Sequence, residues 1–474
     1  MAENGFEPNF PRDALNELEE LMHSDGQATA AQTLTDLRDL LWSSIDNESS
    51  RDLDQIEYAE ELENGDIRIL IGIADVDHLV KQHSAIDRHA AKNTVTIYTP
   101  TEIFPMLPPE ISTGLTSLNE GEDRTAIVIE LVIKSNGDVP GNNVYRAIVR
   151  NHAKLDYESV GDWLDQIDPV PDKVSATPGL KEQILLQQKA AERLHKFRLE
   201  KGALEFESIE SSPVIENGEV RSLKSIRPNS ARKLIENFMI AANVEMAEFL
   251  DAHGFASIRR VVRTPEHWEG IREIADKLGV QLPHLPDARA LSEFLVVRKQ
   301  KDPLHFPDLS LSIIKLIGSG EYVVQQPGEQ GDGHFGLGVR DYAHSTAPNR
   351  RYPDMVVQRL VKAAINGEPQ PYTGDELNLI ANHCNQQERG ARKVERKLRK
   401  IVAATVMKRR VGESFDAVVT GVTNRGTFAR ILRPPVDGRI VRGEHGLRLG
   451  QKIDVKLLSA DPKSGFIDFA ARAE

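Results

Sequence analysis

The feature that most limits the fold is a pair of alternating apolar runs on either side of Asn64-Gly65. Ile56 and Tyr58 precede the pair, and Ile67, Ile69, Ile71 and Ile73 follow it. A period of two puts such side chains on one face of a strand, and Asn-Gly between two such runs predicts a tight antiparallel hairpin. A two-residue loop would set Ile56 opposite Ile73, Tyr58 opposite Ile71, Asp54 opposite Asp75 and Asp52 opposite Asp77, all on one face. Carboxylates facing one another repel, so a positive partner is expected among them.

Asp46, Asp52 and Asp54 fall within nine positions at the entrance to this hairpin. Hard oxygen donors suit Mg²⁺ or Mn²⁺. The apolar continuation of the strand carries these aspartates toward a core edge, where unpaired charge is costly. The stretch also reads as solvated acidic surface, because residues 48–66 hold eight acidic side chains against Arg51 alone.

A chain of 474 residues that is 40% hydrophobic can bury substantial cores, and its length suggests roughly two to four domains. No N-terminal basic segment leads into an apolar one, and no window approaches the ~20 apolar residues that cross a bilayer, so neither secretion nor membrane insertion is expected. The single cysteine, Cys384, excludes an internal disulfide and a cysteine-rich zinc site. It fits a monomer in the reducing cytoplasm, without a disulfide-linked partner. The net charge of −13 opposes a polyanionic partner, but residues 389–410 hold ten basic side chains against Glu395. That run is either a phosphate-binding stripe or an exposed amphipathic helix joining two domains.

Coarse patterning gives an α+β chain, a mixed sheet-and-helix core followed by a small all-β barrel. Helices are expected at 12–22, 28–41, 180–200, 231–250, 265–278, 352–365 and 374–406, with further hairpins at Asn136-Gly137 and Asn217-Gly218. The stripe Leu234, Ile235, Phe238, Met239, Ala242, Met246 and Phe249 reads as core. Five short strands at 414–422, 427–432, 436–441, 452–459 and 465–470 suggest an OB-type barrel, a fold that commonly binds single-stranded nucleic acid. Phe415, Phe428, Phe466 and Phe469 compete there for stacking and core positions, and at least two must be core. The division is 1–42, a short helical segment; 43–400, a catalytic domain; and 408–474, the barrel.

Several ordered stretches resemble the RNase II / RNase R family of exoribonucleases. They are Ile45-Asp46 with Asp52-Leu53-Asp54, Gly72-Ile73-Ala74-Asp75-Val76, Pro105-Met106-Leu107-Pro108, Leu234-Ile235-Glu236 with Met239 and Ala242-Asn243, Gly333-His334-Phe335-Gly336-Leu337, and Ala347-Pro348-Asn349-Arg350-Arg351-Tyr352-Pro353-Asp354. The resemblance implies an RNB-type nuclease core and processive 3′-to-5′ hydrolysis of single-stranded RNA to nucleoside 5′-monophosphates with Mg²⁺, or Mn²⁺ in its place. Two cations about 4 Å apart suit an in-line displacement.

Carried over by position, Asp46, Asp52 and Asp54 match metal-site aspartates, and Asp54 matches the one on which cleavage depends most. Arg350 matches the arginine at the scissile phosphate, where a planar fork suits an oxyanion, and Arg351 is its expected helper. Tyr98 matches the aromatic that clamps the terminal nucleotide, and Phe206 resembles its upstream stacking partner, although either aromatic taken alone reads more often as core than as clamp. Glu236 reads as a ribose contact or as half of a structural pair, and Phe428 as a stacking residue of the barrel.

Three departures stand out. Gln55 occupies the position of a fourth aspartate; its amide oxygen can still ligate, but one negative charge is lost. Asp75 and Asp77 are candidates to compensate, and a catalytically silent RNA-binding protein is the alternative reading. Only 42 residues precede Ser43, where the family usually carries cold-shock barrels. A shortened form without them is expected to hold long single strands less tightly and to tolerate more structure near the 3′ end. Arg425 stands where the barrel pattern often has an aromatic.

Overall fold

The computed structural model describes the chain except residues 24–33, 208–209, 217–218, 227, 304, 424–425, 449 and 473–474. A helix, α1 (Arg12–His23), buries Ala14 and Leu18 in the main core. A strand, β1 (Thr35–Asp36), then begins a six-stranded sheet with β2 (Trp42–Asp46), β3 (Gln55–Glu61), β4 (Ile67–Ala74), β5 (Asp123–Ile133) and β6 (Asn142–Asp156). The order is β1-β6-β2-β3-β4-β5. The long β6 pairs with β5 over Asn142 to Arg150 and with β2 over Asn151 to Asp156, so the sheet curls back on itself. The expected helix at 28–41 is not formed in its described part: Thr35 and Asp36 pair with Ala147 and Ile148 instead.

The hairpin forms one residue out of the expected register. Gln55 faces Ile73, Ile56 faces Gly72 and Tyr58 faces Leu70. Leu62 N–H donates to the Asp66 carbonyl at 2.9 Å, and Gly65 N–H to the Leu62 carbonyl at 2.8 Å, which makes the loop three residues long. Gly65 takes φ +80°, the left-handed conformation that such a loop assigns to glycine. The shift brings Ile56 against Gly72, where a Cβ would stand 3.1 Å from Ile56 Cγ1. It also withdraws Asp75 and Asp77 from Asp54 and Asp52.

The positive partners exist at that second place. Asp75 Oδ2 accepts from Arg146 at 2.6 Å and Asp75 Oδ1 from Lys362 at 2.9 Å, while Asp77 binds Lys362 at 2.8 Å and Arg359 at 2.7 Å. The two aspartates therefore belong to a buried charge cluster and do not compensate for Gln55.

Helices cover the sheet. α2 (Leu180–Glu200) lies on β3, and α3 (Ser230–Ala252) packs on α2 and buries Leu234, Ile235, Phe238, Ala242 and Met246 as its stripe predicts. α4 (Tyr352–Asn366) is buried along nearly its whole length. A separate helical cluster at Trp268–Lys277, Ala288–Lys301 and Phe306–Ile317 has its own core of Trp268, Ile271, Leu291, Phe294, Phe306 and Ile313.

α5 (Gly374–Lys408) opens with a reciprocal cap, in which Thr373 Oγ1 accepts from Glu376 N–H and the Glu376 carboxylate accepts from Thr373 N–H. Its face with Ala391, Val394, Val402, Ala404 and Met407 is buried, while Arg392, Lys393, Arg396, Lys397, Arg399 and Lys400 stay exposed.

Ala404 and Met407 seal the terminal barrel, whose strands are β7 (Ser414–Thr423), β8 (Gly426–Leu432), β9 (Pro435–Arg442), β10 (Lys452–Asp461) and β11 (Phe466–Ala471). The closed order is β7-β8-β9-β11-β10. Phe415 and Phe469 are core, Phe466 is 67% exposed, and Phe428 is half-buried on the outer face. Arg425 and the turn at Asn217-Gly218 lie outside the described residues. Among the described residues no helix is long and apolar enough to cross a membrane.

Two partly buried histidines predict acid sensitivity. Burial and the nearby Arg260 lower His334 to about 4, and burial with Arg351 holds His344 well below its ordinary value. Both must charge when the chain unfolds in acid, so their contribution is complete above pH 6.5 and is lost as the pH falls from 6.5 toward 4. His334→Asn is expected to flatten the fall in stability over that window, by up to about 3 kcal/mol of unfolding free energy at pH 4, seen as a shallower fall in melting temperature. Parallel melting curves between pH 4 and 8 would refute this.

Candidate active site

One cavity of about 520 Å³ gathers residues from five separate parts of the chain. Asp46, Asn47, Ser50, Asp52, Asp54 and Gln55 form one wall, Tyr98 and Tyr157 stand beside them, Arg232, Glu236 and Met239 of α3 form another wall, and Thr346 and Arg350 complete it. The loop between β2 and β3 is pinned at Leu53, whose N–H donates to Ser117 Oγ at 2.9 Å and whose carbonyl accepts from Leu118 N–H at 3.0 Å. These two bonds fix the aspartates on either side of Leu53.

Each carboxylate has a different setting. Asp46 Oδ1 accepts from Asn47 N–H and from Ser50 Oγ at 3.0 Å, and burial still raises its pKa. Asp52 Oδ2 accepts the Tyr98 hydroxyl at 2.7 Å, which brings this ring, 38% exposed, to the acidic wall. Asp54 is 2% exposed; its Oδ1 accepts from Asn349 N–H at 3.0 Å, while its Oδ2 has no hydrogen-bond partner and lies 3.5 Å from Arg350 Nε. Burial pushes Asp54 up to about 7, against the opposing pull of Arg350 and Asn349.

Arg350 is held through its backbone carbonyl, which accepts from Thr96 N–H at 3.0 Å, and the preceding Asn349 is fixed by its side-chain Oδ1, which accepts from Thr116 Oγ1 at 2.6 Å. Its own side chain is 45% exposed and open to a ligand.

Arg351 does not join it. It caps α4 with extended backbone (φ −138°, ψ 124°), so its side chain leaves on the opposite side from Arg350 and pairs with Asp354 at 2.7 Å. Arg351, partly buried in this pair, does not line the cavity with Arg350.

Phe206 lines an adjoining cavity of about 260 Å³ with Arg198, Glu205 and Lys233, and packs against the Trp268 cluster. Arg232 and Glu236 border both cavities, which puts Phe206 one chamber away from Tyr98. Glu236 is pushed up by burial, with Arg198 opposing.

Sequence reasoning passed over Tyr157 and Arg232, which stack at 4.4 Å; Arg232 also donates to Asn47 Oδ1 at 3.3 Å. One signal was available. The first turn of α3 carries Arg232 and Lys233 and no acid, against the preference of the helix dipole, and such a local conflict is a mark of a functional position.

Among the described residues, no three His, Cys, Asp or Glu side chains converge into a set that could hold a metal ion. The aspartates share a cavity wall without closing on one point. The donor chemistry nonetheless suits a hard divalent cation: all-oxygen ligands, with a buried and partnerless Asp54 oxygen at the cavity.

Residues 34–367 match the RNB domain, and residues 413–472 match the C-terminal S1 domain of RNase II-type exonucleases. The chain belongs to the RNB family. This RNB chain is 32% identical to ribonuclease R of Vibrio cholerae over 93% of its length and 57% of that protein. It is 30% identical to ribonuclease R of Escherichia coli over 92% of its length and 57% of that protein. It therefore spans little more than half the length of these curated relatives. Among solved structures, Mycoplasma genitalium RNase R in complex with ribose-methylated single-stranded RNA superposes with a TM-score of 0.88 at 22% identity, covering 100% of this chain and 77% of that one. Yeast Ssd1, a pseudonuclease, superposes with a TM-score of 0.68 at 17% identity, covering 89% of this chain and 51% of that one. At these identities the structural likeness is one of fold.

Proposed function

We propose that this RNB chain is a processive 3′-to-5′ exoribonuclease that hydrolyses single-stranded RNA to nucleoside 5′-monophosphates with Mg²⁺ or Mn²⁺. The observation that carries the reading is the convergence of Asp46, Asp52 and Asp54 with Arg350 on one cavity, with Tyr98 hydrogen-bonded to Asp52 beside them. Asp46, Asp52 and Asp54, with the Gln55 amide oxygen, would hold the cation. Divalent cations bound there would supply water activation and charge compensation at the departing 3′ oxygen.

The chain's own residues do the rest. Arg350 offers a planar guanidinium to a phosphate oxygen, and Asn349 N–H holds Asp54 in place for it. Tyr98 presents a ring for the last base, Phe206 offers a second ring in the next chamber, and Glu236 stands between them with a carboxyl group for ribose hydroxyls. Residues 43–400 would carry catalysis. Residues 408–474, with Phe428 and the exposed cations of α5, would hold the upstream strand. The protein would act as a monomer in the cytoplasm.

The decisive experiment uses a 5′-labelled oligo(A) with Mg²⁺ or Mn²⁺, alongside the matched DNA. The expected result is a ladder shrinking from the 3′ end with release of AMP from RNA only. Internal cuts, or equal attack on DNA, would refute it.

Tyr98→Ala is expected to weaken binding of a short oligo(A) in EDTA by about 1–3 kcal/mol, roughly 5- to 150-fold in Kd. Fluorescence anisotropy reads this directly, and an unchanged Kd would remove Tyr98 from the clamp.

A second reading, a silent RNA-binding member, is favoured by one observation: Gln55 puts a neutral amide among the carboxylates. It predicts RNA binding without turnover, and activity gained by Gln55→Asp.

A further inference from the structure

Two cationic side chains line the acidic cavity, Arg350 and Arg232. Arg350 has the Asp54 carboxylate 3.5 Å from its Nε. Arg232 has no such counter-charge: its side-chain partners among the described residues are the Tyr157 ring at 4.4 Å and Asn47 Oδ1, which accepts from Nη2 at 3.3 Å. Its Nε is buried without a hydrogen-bond partner. The next residue, Lys233, is by contrast paired with Glu205 at 2.9 Å. A guanidinium drawn partly out of water without an opposite charge is costly, and contact with a ring offsets only part of that cost.

The position of Arg232 says what would supply the missing charge. Arg232 and Glu236 stand one turn apart on α3, and both border the cavity of Tyr98 and the cavity of Phe206. Arg350 borders only the first of these two. A strand held by both rings must cross the border, and it carries a negative charge at every linkage. The Tyr157 ring lies under the Arg232 guanidinium and Asn47 takes Nη2, which leaves Nη1 as the edge of the fork free for an oxyanion.

We propose that Arg232 binds an internucleotide phosphate upstream of the scissile one, where the RNA strand passes from the Tyr98 cavity into the Phe206 cavity. The proposal rests on the exoribonuclease reading given above and adds the group that holds the strand between its two rings. Arg350 then serves the reacting phosphate and Arg232 a phosphate that is not cleaved while it is bound there.

The test is binding of 5′-labelled oligo(A) to the full chain in EDTA, read by fluorescence anisotropy, so that turnover plays no part. Each strand of a series carries one neutral methylphosphonate, placed at successive linkages from the 3′ end, and is compared with the same strand bearing an ordinary phosphate there. A 2′-O-methyl ribose beside that linkage, present in both strands, prevents self-cleavage.

For the unaltered chain, neutralising the contacted upstream linkage is expected to weaken binding on the order of tenfold. Arg232→Gln is expected to bind the fully charged strand on the order of tenfold more weakly, and to lose nothing further when that linkage is neutral. Its plot of log affinity against log salt should be shallower by about 0.7, the share of one phosphate of a single strand. Arg232→Met, which keeps an unbranched stem on Tyr157, takes its place if the glutamine variant does not fold.

A merely structural Arg232 would lower affinity for both strands of every pair by the same factor. That result, or an unchanged salt slope, overturns the proposal and leaves the exoribonuclease reading standing. Coupling confined to the terminal linkage also overturns it, because Arg232 would then share the phosphate of Arg350. Absence of oligo(A) binding by the unaltered chain overturns both.

Discussion

Asp54→Asn is expected to abolish release of nucleoside monophosphates from single-stranded RNA, with a fall in single-turnover rate on the order of 10²–10³-fold or more. That is the scale seen when one preorganised group at a reacting centre is removed. The fold should survive, because the asparagine Oδ1 can still accept from Asn349 N–H as Asp54 Oδ1 does at 3.0 Å. What disappears is the second oxygen, buried, partnerless and 3.5 Å from Arg350 Nε. Asp46→Asn should cost less, since Asp46 Oδ1 is already occupied by Asn47 N–H and Ser50 Oγ. RNA binding in EDTA should be retained by both variants. A rate for Asp54→Asn within tenfold of the unaltered chain would falsify the assignment of this carboxylate to the reacting centre.

Asp75→Ala is expected to be the most destabilising of the aspartate substitutions, by about 3–5 kcal/mol, because it removes the carboxylate shared by two largely buried cations. Asp75 has a fully buried side chain between Arg146 at 2.6 Å and Lys362 at 2.9 Å, and those side chains are themselves only 11% and 12% exposed. Burial alone would push the Asp75 carboxyl up, but Lys362 and Arg146 outweigh it and hold the pKa below the ordinary value. Lys362 would retain Asp77 at 2.8 Å; Arg146 would lose its main carboxylate. Chemical denaturation monitored by circular dichroism gives the comparison, and a loss below about 1 kcal/mol would show that the cluster relaxes around the gap.

Asp75 also shows where sequence reasoning stopped. The hairpin and its apolar alternation were legible, and so was the need for cations near Asp75. The register was not: Asn64-Gly65 fits both a two-residue and a three-residue loop, and the bonds from Leu62 to Asp66 and from Gly65 to Leu62 select the longer one. One residue of slip changes every facing pair, which is why Asp54 and Asp75 part company.

The barrel strands lay within about two residues of their expected ends, because glycine-bearing turns bound them and one face is core, even though bulges interrupt three of the ladders. Residues 35–36 went the other way: a local helical pattern yielded to pairing with Ala147 and Ile148 on β6, as tertiary contacts override weak propensity. Arg350 and Arg351 look alike in sequence, yet the extended backbone between them sends one to the cavity and the other to Asp354.

From the residues alone came the α+β class, the α3 core stripe, the terminal barrel, the acidic entrance to β3 and the family resemblance. These depend on periodicity, on turn chemistry and on short ordered motifs, which are properties of neighbouring positions. Only the three-dimensional structure brought Asp46, Tyr98, Tyr157, Arg232 and Arg350 to one cavity, put Arg351 and Asp75 out of it, and revealed Glu57 without a partner. Burial and distance between remote segments are set by packing of the whole core, and no local pattern encodes which polar atom is left unpaired there.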